Sequence, residues 1–220
     1  MDRASSPQVK KWQYKVGFSV DEFNTVSGKD FTESEIDNLL SQKEFSYEKV
    51  VVKEVLEQAI SICLDAVYKN PSSMRIDAPN AFSCSSLISY LYTQAGVWMP
   101  SLSIDKYVFG TPIEREDLKF GDLVFSNTGI GKIRFESVEY LPGTNVPEGV
   151  DHVALYLGNN NIIHATKKYE KVVIENMNNL VNVVGFRRVA DLEEKRFVVV
   201  LPKDREYLRK KENLIKEIIQ

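Results

Sequence analysis

Residues 82–96 read FSCSSLISYLYTQAG, and the fold follows from how this stretch divides. Ser83 is a favoured N-cap type, because its hydroxyl can accept a first-turn N–H. Beyond it, Leu87, Leu91 and Ala95 recur at helical spacing. Gly96 suits the left-handed residue that closes a helix. The pattern predicts a helix over 84–95 that carries Cys84 in its first turn.

Upstream, the reading is helical. TESE at Thr32–Glu35 has the capping-box form and predicts a short helix with Ile36, Leu39 and Leu40 inward. A longer helix is predicted from about Ser46 to Tyr68, on the stripe Val52, Val55, Leu56, Ala59, Cys63, Ala66 and Val67, with Asn70-Pro71 to stop it. Ser101 is a candidate cap for a third, short helix before Gly110.

Downstream, the period changes to that of strands. Asp122–Ser126, His152–Leu157, Asn161–Thr166, Lys171–Asn176, Asn182–Val189 and Phe197–Leu201 are short β-branched runs between turn residues. Helices first and strands second predict an α+β fold, with N-terminal helices packed on a central antiparallel sheet. Asp204–Gln220 is read as an amphipathic helix with Leu208, Ile215, Ile218 and Ile219 inward. Residues 1–45 form an N-terminal extension or small subdomain, and 46–220 the main domain. The long connection 127–151 is either a wall of a binding groove or a plain surface hairpin.

Composition narrows the function. The 220 residues hold 28 Lys and Arg against 31 Asp and Glu, a net charge of −3. No clustered basic footprint for nucleic acid is visible. No apolar run is long enough for a membrane span. The first residues lack the apolar core of a secretory leader, so the chain reads as cytoplasmic as written, or as secreted or wall-associated after removal of a leader. Two cysteines and two histidines match no structural zinc spacing, and no metal or cofactor is expected.

The two thiols differ in setting. Cys63 lies on an apolar helical stripe, where a thiol behaves as a small hydrophobe. Cys84 begins a helix, whose first-turn N–H groups favour a thiolate and can hold an oxyanion. A buried structural role for Cys84 is an equal alternative on position alone. A thiolate nucleophile needs a base, and the base needs an orienting group. His152, Ala154 and Tyr156 share one strand face. A three-residue turn pairing Leu157 with Asn161 would set His164 opposite Ala154, on that same face. A two-residue turn would send it to the other. Gly and Asn both tolerate a positive φ, so the three-residue turn is the expectation.

Three segments in order carry a resemblance. FSCSSLISYLYTQAGVWMP (82–100), KFGDLVFS (119–126) and DHVALYLGNNNIIHA (151–165) resemble the core motifs of the NlpC-type cysteine peptidases. Those motifs run F-D-C-S-G-L to a Leu-Pro, then P-G-D-L-V-F, then H-V-G-I-Y-L-G with a following I-H-A. The likeness covers about residues 50–190. It implies a papain-like fold and amide hydrolysis, typically in peptidoglycan stem peptides. Cys84 would be the nucleophile, His152 the base and His164 the orienting residue, with no cofactor. Ser83, Ser85 and Asp151 are candidate substrate contacts, and the expected partner is a peptide or peptidoglycan fragment. Two positions depart from the pattern: Ser83 replaces the Asp before the cysteine, and Ser86 replaces a Gly. That Asp can help bind a substrate amino group, so these changes bear on specificity. A degenerate wall-peptide binder and a Cys–His acyltransferase are the other readings.

Overall fold

The structure, a computed structural model, describes residues 13–137 and 141–220. The first twelve residues of the 1–45 extension lie outside these, as do 138–140 of the long connection. The chain runs β1 (Lys15–Phe18), α1 (Val20–Ser27), α2 (Glu33–Gln42), β2 (Ser46–Val51), α3 (Val52–Cys63), β3 (Val67–Tyr68), α4 (Met74–Asp77), β4 (Ala81–Phe82), α5 (Cys84–Gln94) and α6 (Ser103–Phe109). Then follow β5 (Thr111–Ile113), β6 (Leu123–Ser126), β7 (Arg134–Ser137), β8 (Thr144–Val150), β9 (His152–Gly158), β10 (Asn161–Thr166), β11 (Lys171–Asn176), β12 (Val183–Arg188), β13 (Lys195–Val200) and α7 (Lys211–Ile219).

An eight-stranded sheet in the order β4-β3-β11-β10-β9-β6-β12-β5 forms the centre. All its pairings are antiparallel except the short β3–β4 pair. Leu87, Ile88 and Leu91 of α5 are fully buried against one core with Leu56 of α3 and Val153, Leu155 and Ile163 of the sheet. Burying each such side chain contributes about 1.5–3 kcal/mol, so α5 is fixed mainly by packing. The arrangement is α+β and papain-like: a helix headed by the cysteine lies on an antiparallel sheet.

A second core draws on both ends of the chain. β1, β13 and β2 make a three-stranded sheet. Phe18, Phe23, Ile36 and Leu40 pack there with Val199, Leu214, Ile215 and Ile218. Glu22 of α1 ties it together, meeting Arg196 of β13 at 2.7 Å and Lys211 of α7 at 2.7 Å. This unit touches α5 where two glycines meet. A Cβ on Gly96 would stand 2.5 Å from the Gly17 Cα. Gly96 also has φ +69, the left-handed conformation that glycine adopts without strain.

Several predicted boundaries move. The predicted helix over 46–68 is three elements. Ser46–Val51 is a strand beside β13, and the helix runs only from Val52 to Cys63. Tyr47, Val50 and Val51 fit a pleated edge better than a helix, and β13 supplies the partner that local sequence cannot show. After Cys63 the chain turns through Asp65 at φ 63 into β3. The third short helix begins at Ser103 with Leu102 at its cap, so Ser101 is not its cap. The C-terminal segment is a 3-10 stretch over Lys203–Leu208 followed by α7. The break shifts the helical phase, so Leu214 is buried and Ile219 is 38% exposed. Within 127–151, β7 and β8 pair as a two-stranded ribbon. Among the described residues no helix is long and apolar enough to cross a membrane.

Candidate active site

Cys84 is the first residue of α5, where a capped helix opens. The Ser83 hydroxyl accepts the Ser86 N–H at 3.3 Å, and the Ser86 hydroxyl accepts the Ser83 N–H at 2.9 Å. Leu87 N–H bonds the Ser83 carbonyl at 3.1 Å. The N–H groups of Cys84 and Ser85 are left at the open end of the helix, where orphan donors of a first turn point outward. The Cys84 Sγ lies 3.8 Å from the Asp151 carbonyl oxygen and 3.9 Å from the Ser103 Oγ.

The two histidines come together by a route that the loop-length argument did not anticipate. The β9–β10 turn has two residues, Asn159 and Asn160, both at positive φ (50 and 59). Gly158 pairs with Asn161, but the register then slips, and Ile162 pairs with Tyr156. Leu157 is the extra residue of a β-bulge, which restores the parity that the turn alone would have reversed. Continuing the register sets His164 opposite Ala154. The His152 Nε2 and His164 Nδ1 are 2.8 Å apart. That contact leaves Nδ1 of His152 as the ring nitrogen for the sulfur. Both rings are buried, at 8% and 2% exposure.

Electrostatics separates the thiols. Burial pushes the Cys84 thiol up, but the hydrogen bond and charge of His152, with the Ser103 hydroxyl and the Val153 N–H, outweigh it and hold it below the ordinary value. Burial alone pushes Cys63 up to about 12. Burial, with the charge of His152, lowers His164 to about 4 against the pull of Glu175. His164 is therefore neutral at pH 7 and can act as an orienting group without competing for the proton.

This geometry sits in a chain with clear relatives. The NlpC/P60 family matches residues 71–184. The chain belongs to the NlpC/P60 family. A probable endopeptidase of Corynebacterium glutamicum is 33% identical over 96 residues, which cover 44% of this chain and 36% of that protein. The peptidoglycan endopeptidase RipB of Mycobacterium tuberculosis is 33% identical over 93 residues, 42% of this chain and 31% of its own. The chain thus spans about a third of the length of these curated relatives. A solved structure of an NlpC/P60 family protein from Bacillus cereus covers 63% of this chain and 40% of its own, at 24% identity and a TM-score of 0.50.

Against the NlpC/P60 motif, the two departures prove to be one local device. Ser83 and Ser86 are the reciprocal partners of the capping box. Ser72 joins them, its Oγ 2.7 Å from the Ser86 Oγ and accepting the Ser83 N–H at 2.8 Å. Ser83, Ser85 and Asp151 all border the groove at Cys84, and each side chain has a local partner. The Ser85 hydroxyl donates to the Ser101 carbonyl and accepts from the Lys106 ammonium. The Asp151 carboxylate accepts from Thr128 N–H and Oγ1, both at 2.8 Å, and from Gly131 N–H at 3.1 Å.

Two neighbours escape the sequence reading. Glu175 of β11 places Oε1 2.9 Å from the His164 Nε2. The oxygen lies off the ring N–H axis, so the carboxylate meets the N–H edge of a neutral ring without an aligned hydrogen bond. Strand register could have found it: His164 pairs with Val173, and Glu175 is the diagonal neighbour on the same face. Lys106 is fully buried and donates to the carbonyls of Pro100 and Ser101, the latter at 3.1 Å. It fixes the segment that brings Ser103 to the sulfur. No periodicity in the sequence marks it. The groove holds about 710 Å³, and Ile130, Lys132 and Arg134 of the long connection form part of its wall.

Proposed function

We propose that this chain is a thiol peptidase that hydrolyses peptide bonds in peptidoglycan stem peptides, with Cys84, His152 and His164 as its working residues. The observation that carries the reading is the alignment of three groups: a helix-terminal thiol, an imidazole with one nitrogen free for it, and a second imidazole 2.8 Å from the other nitrogen. Family membership and the endopeptidase names of the relatives support the substrate class.

In this reading His152 Nδ1 takes the proton of Cys84, and His164 Nδ1 accepts the His152 Nε2–H and holds the ring in that tautomer. The sulfur attacks the scissile carbonyl, and the open N–H groups of Cys84 and Ser85 face the oxyanion that develops. His152 then gives its proton to the leaving amine as the C–N bond breaks, leaving a thioester. A water molecule, deprotonated by His152, hydrolyses the thioester and regenerates the thiol. Incubation with muropeptides and mass spectrometry of the products tests the reading. Cleavage that disappears in Cys84→Ala is expected. Cleavage that survives the substitution overturns the nucleophile, and binding without cleavage by the unaltered protein overturns the peptidase.

A further inference from the structure

The proposed chemistry leaves one buried lysine unused. Lys106 lies on α6 with no exposed surface, and burying a charge is costly unless hydrogen bonds meet it. Its ammonium donates to the Ser85 hydroxyl at 2.8 Å, to the Ser101 carbonyl at 3.1 Å and to the Pro100 carbonyl. The Ser85 hydroxyl gives its own proton to the Ser101 carbonyl, so toward Lys106 it is an acceptor. These three acceptors match the three hydrogens of an ammonium. A neutral amine would turn its lone pair toward one of them, so the arrangement calls for the charged form. One turn further along α5, the buried Ser89 hydroxyl donates to the same Pro100 carbonyl at 3.5 Å. The result is a polar seam between α5 and the segment that leads into α6.

The seam is tied at the reactive end of α5. Ser85 follows Cys84 in the first turn, and its N–H is one of the donors that face the oxyanion. Ser103 stands one turn before Lys106 on α6, on the same helix face. Its hydroxyl is 3.9 Å from the Cys84 sulfur and helps to hold that thiol below its ordinary value. No acidic residue stands in the first turn of α5, so the ammonium beside Ser85 adds to the positive end of the helix. We propose that Lys106 is a positioning residue for Cys84: its ammonium clamps the first turn of α5 to the segment that carries Ser103, and it fixes a positive charge at the end of the helix where the thiolate forms. Its effect on turnover rests on the proposed peptidase function, but its effect on the thiol can be read without substrate.

The test follows the rate of Cys84 alkylation by iodoacetamide against pH in the full chain, with circular dichroism to report the fold of each variant. Lys106→Met keeps an apolar stem and removes the charge and its donors. The midpoint of the profile should move up by about 0.5–1 pH unit, roughly a threefold to tenfold loss of thiolate below the midpoint. Lys106→Arg keeps a charged donor and should recover about half of that movement or more. Ser89→Ala loosens the same seam without touching the charge or Ser85, and should leave the midpoint in place. A midpoint that stays within about 0.2 pH units in folded Lys106→Met, or an equal movement in Ser89→Ala, overturns the inference. If Lys106→Met does not fold, Lys106→Gln, which keeps an N–H donor without the charge, is read by the same two outcomes. Where muropeptides are cut, kcat should fall about 10–100-fold in Lys106→Met with KM within about threefold, because the clamped N–H groups act on the transition state. A raised KM with kcat unchanged overturns the inference while leaving the peptidase standing. Absence of cleavage by the unaltered protein, with the midpoint moved as expected in the variant, overturns the peptidase and leaves the role of Lys106 standing.

Discussion

The Glu175 Oε1 stands 2.9 Å from the His164 Nε2, at the far end of a line that begins at the Cys84 sulfur and passes through both imidazoles. The carboxylate is two rings from the reacting bond. Its effect is to favour the proton on His164 Nε2, which leaves Nδ1 to accept from His152. Replacing Glu175 by Gln should lower kcat roughly 10–100-fold with KM little changed, less than loss of an acid that touches the base directly. Glu175→Asp should recover part of the loss. A kcat unchanged in Glu175→Gln removes Glu175 from the line.

The two thiols should alkylate at very different rates. Cys63 is buried on α3 with its thiol pushed up to about 12, so almost none of it is thiolate at neutral pH. Cys84 is half-buried and held below its ordinary value. Iodoacetamide at pH 7 should label Cys84 at least about 100-fold faster, read by peptide mapping. Equal rates would contradict the electrostatic assignment.

Acid should weaken the fold through His164. Its folded value, lowered to about 4, lies below that of the unfolded chain, so the unfolded state binds more protons between about pH 6.5 and 4. The stabilisation is present above that window and is lost as pH falls through it, by up to about 3 kcal/mol. His164→Asn should flatten this part of the Tm–pH profile. An equally steep profile in the variant assigns the acid sensitivity elsewhere.

Ser83→Asp should keep the helix cap, since Asp caps about as well as Ser, and place a carboxylate beside Cys84. Stability should change by less than about 1 kcal/mol, while the kcat/KM preference for free over acetylated amino termini rises. A fall in Tm with no change in preference would show that Ser83 serves the cap alone.

Gly96→Ala tests the seam between the two cores. The new Cβ would strike the Gly17 backbone at 2.5 Å, at a left-handed φ as well. The loss should be roughly 2–4 kcal/mol in denaturant unfolding. A loss under about 1 kcal/mol would mean that the seam yields freely.

The sequence by itself determined α5, its cap and the contrast between Cys84 and Cys63, because these depend on residues within one or two helical turns. Strand runs and their alternation were equally local, and so was the family likeness in three ordered motifs. Tertiary structure decided what pairs with what. Ser46–Val51 became a strand because β13 lay beside it, and Leu214 displaced Ile219 from the core because the extended backbone at Lys210, between the 3-10 stretch and α7, reset the helical phase. The bulge at Leu157 put His164 beside His152 despite a two-residue turn. The register of β11 added Glu175, and burial placed Lys106. Each of these rests on contacts between residues far apart in the chain or on one extra residue in a strand, and a local pattern of apolar and polar side chains holds no record of either.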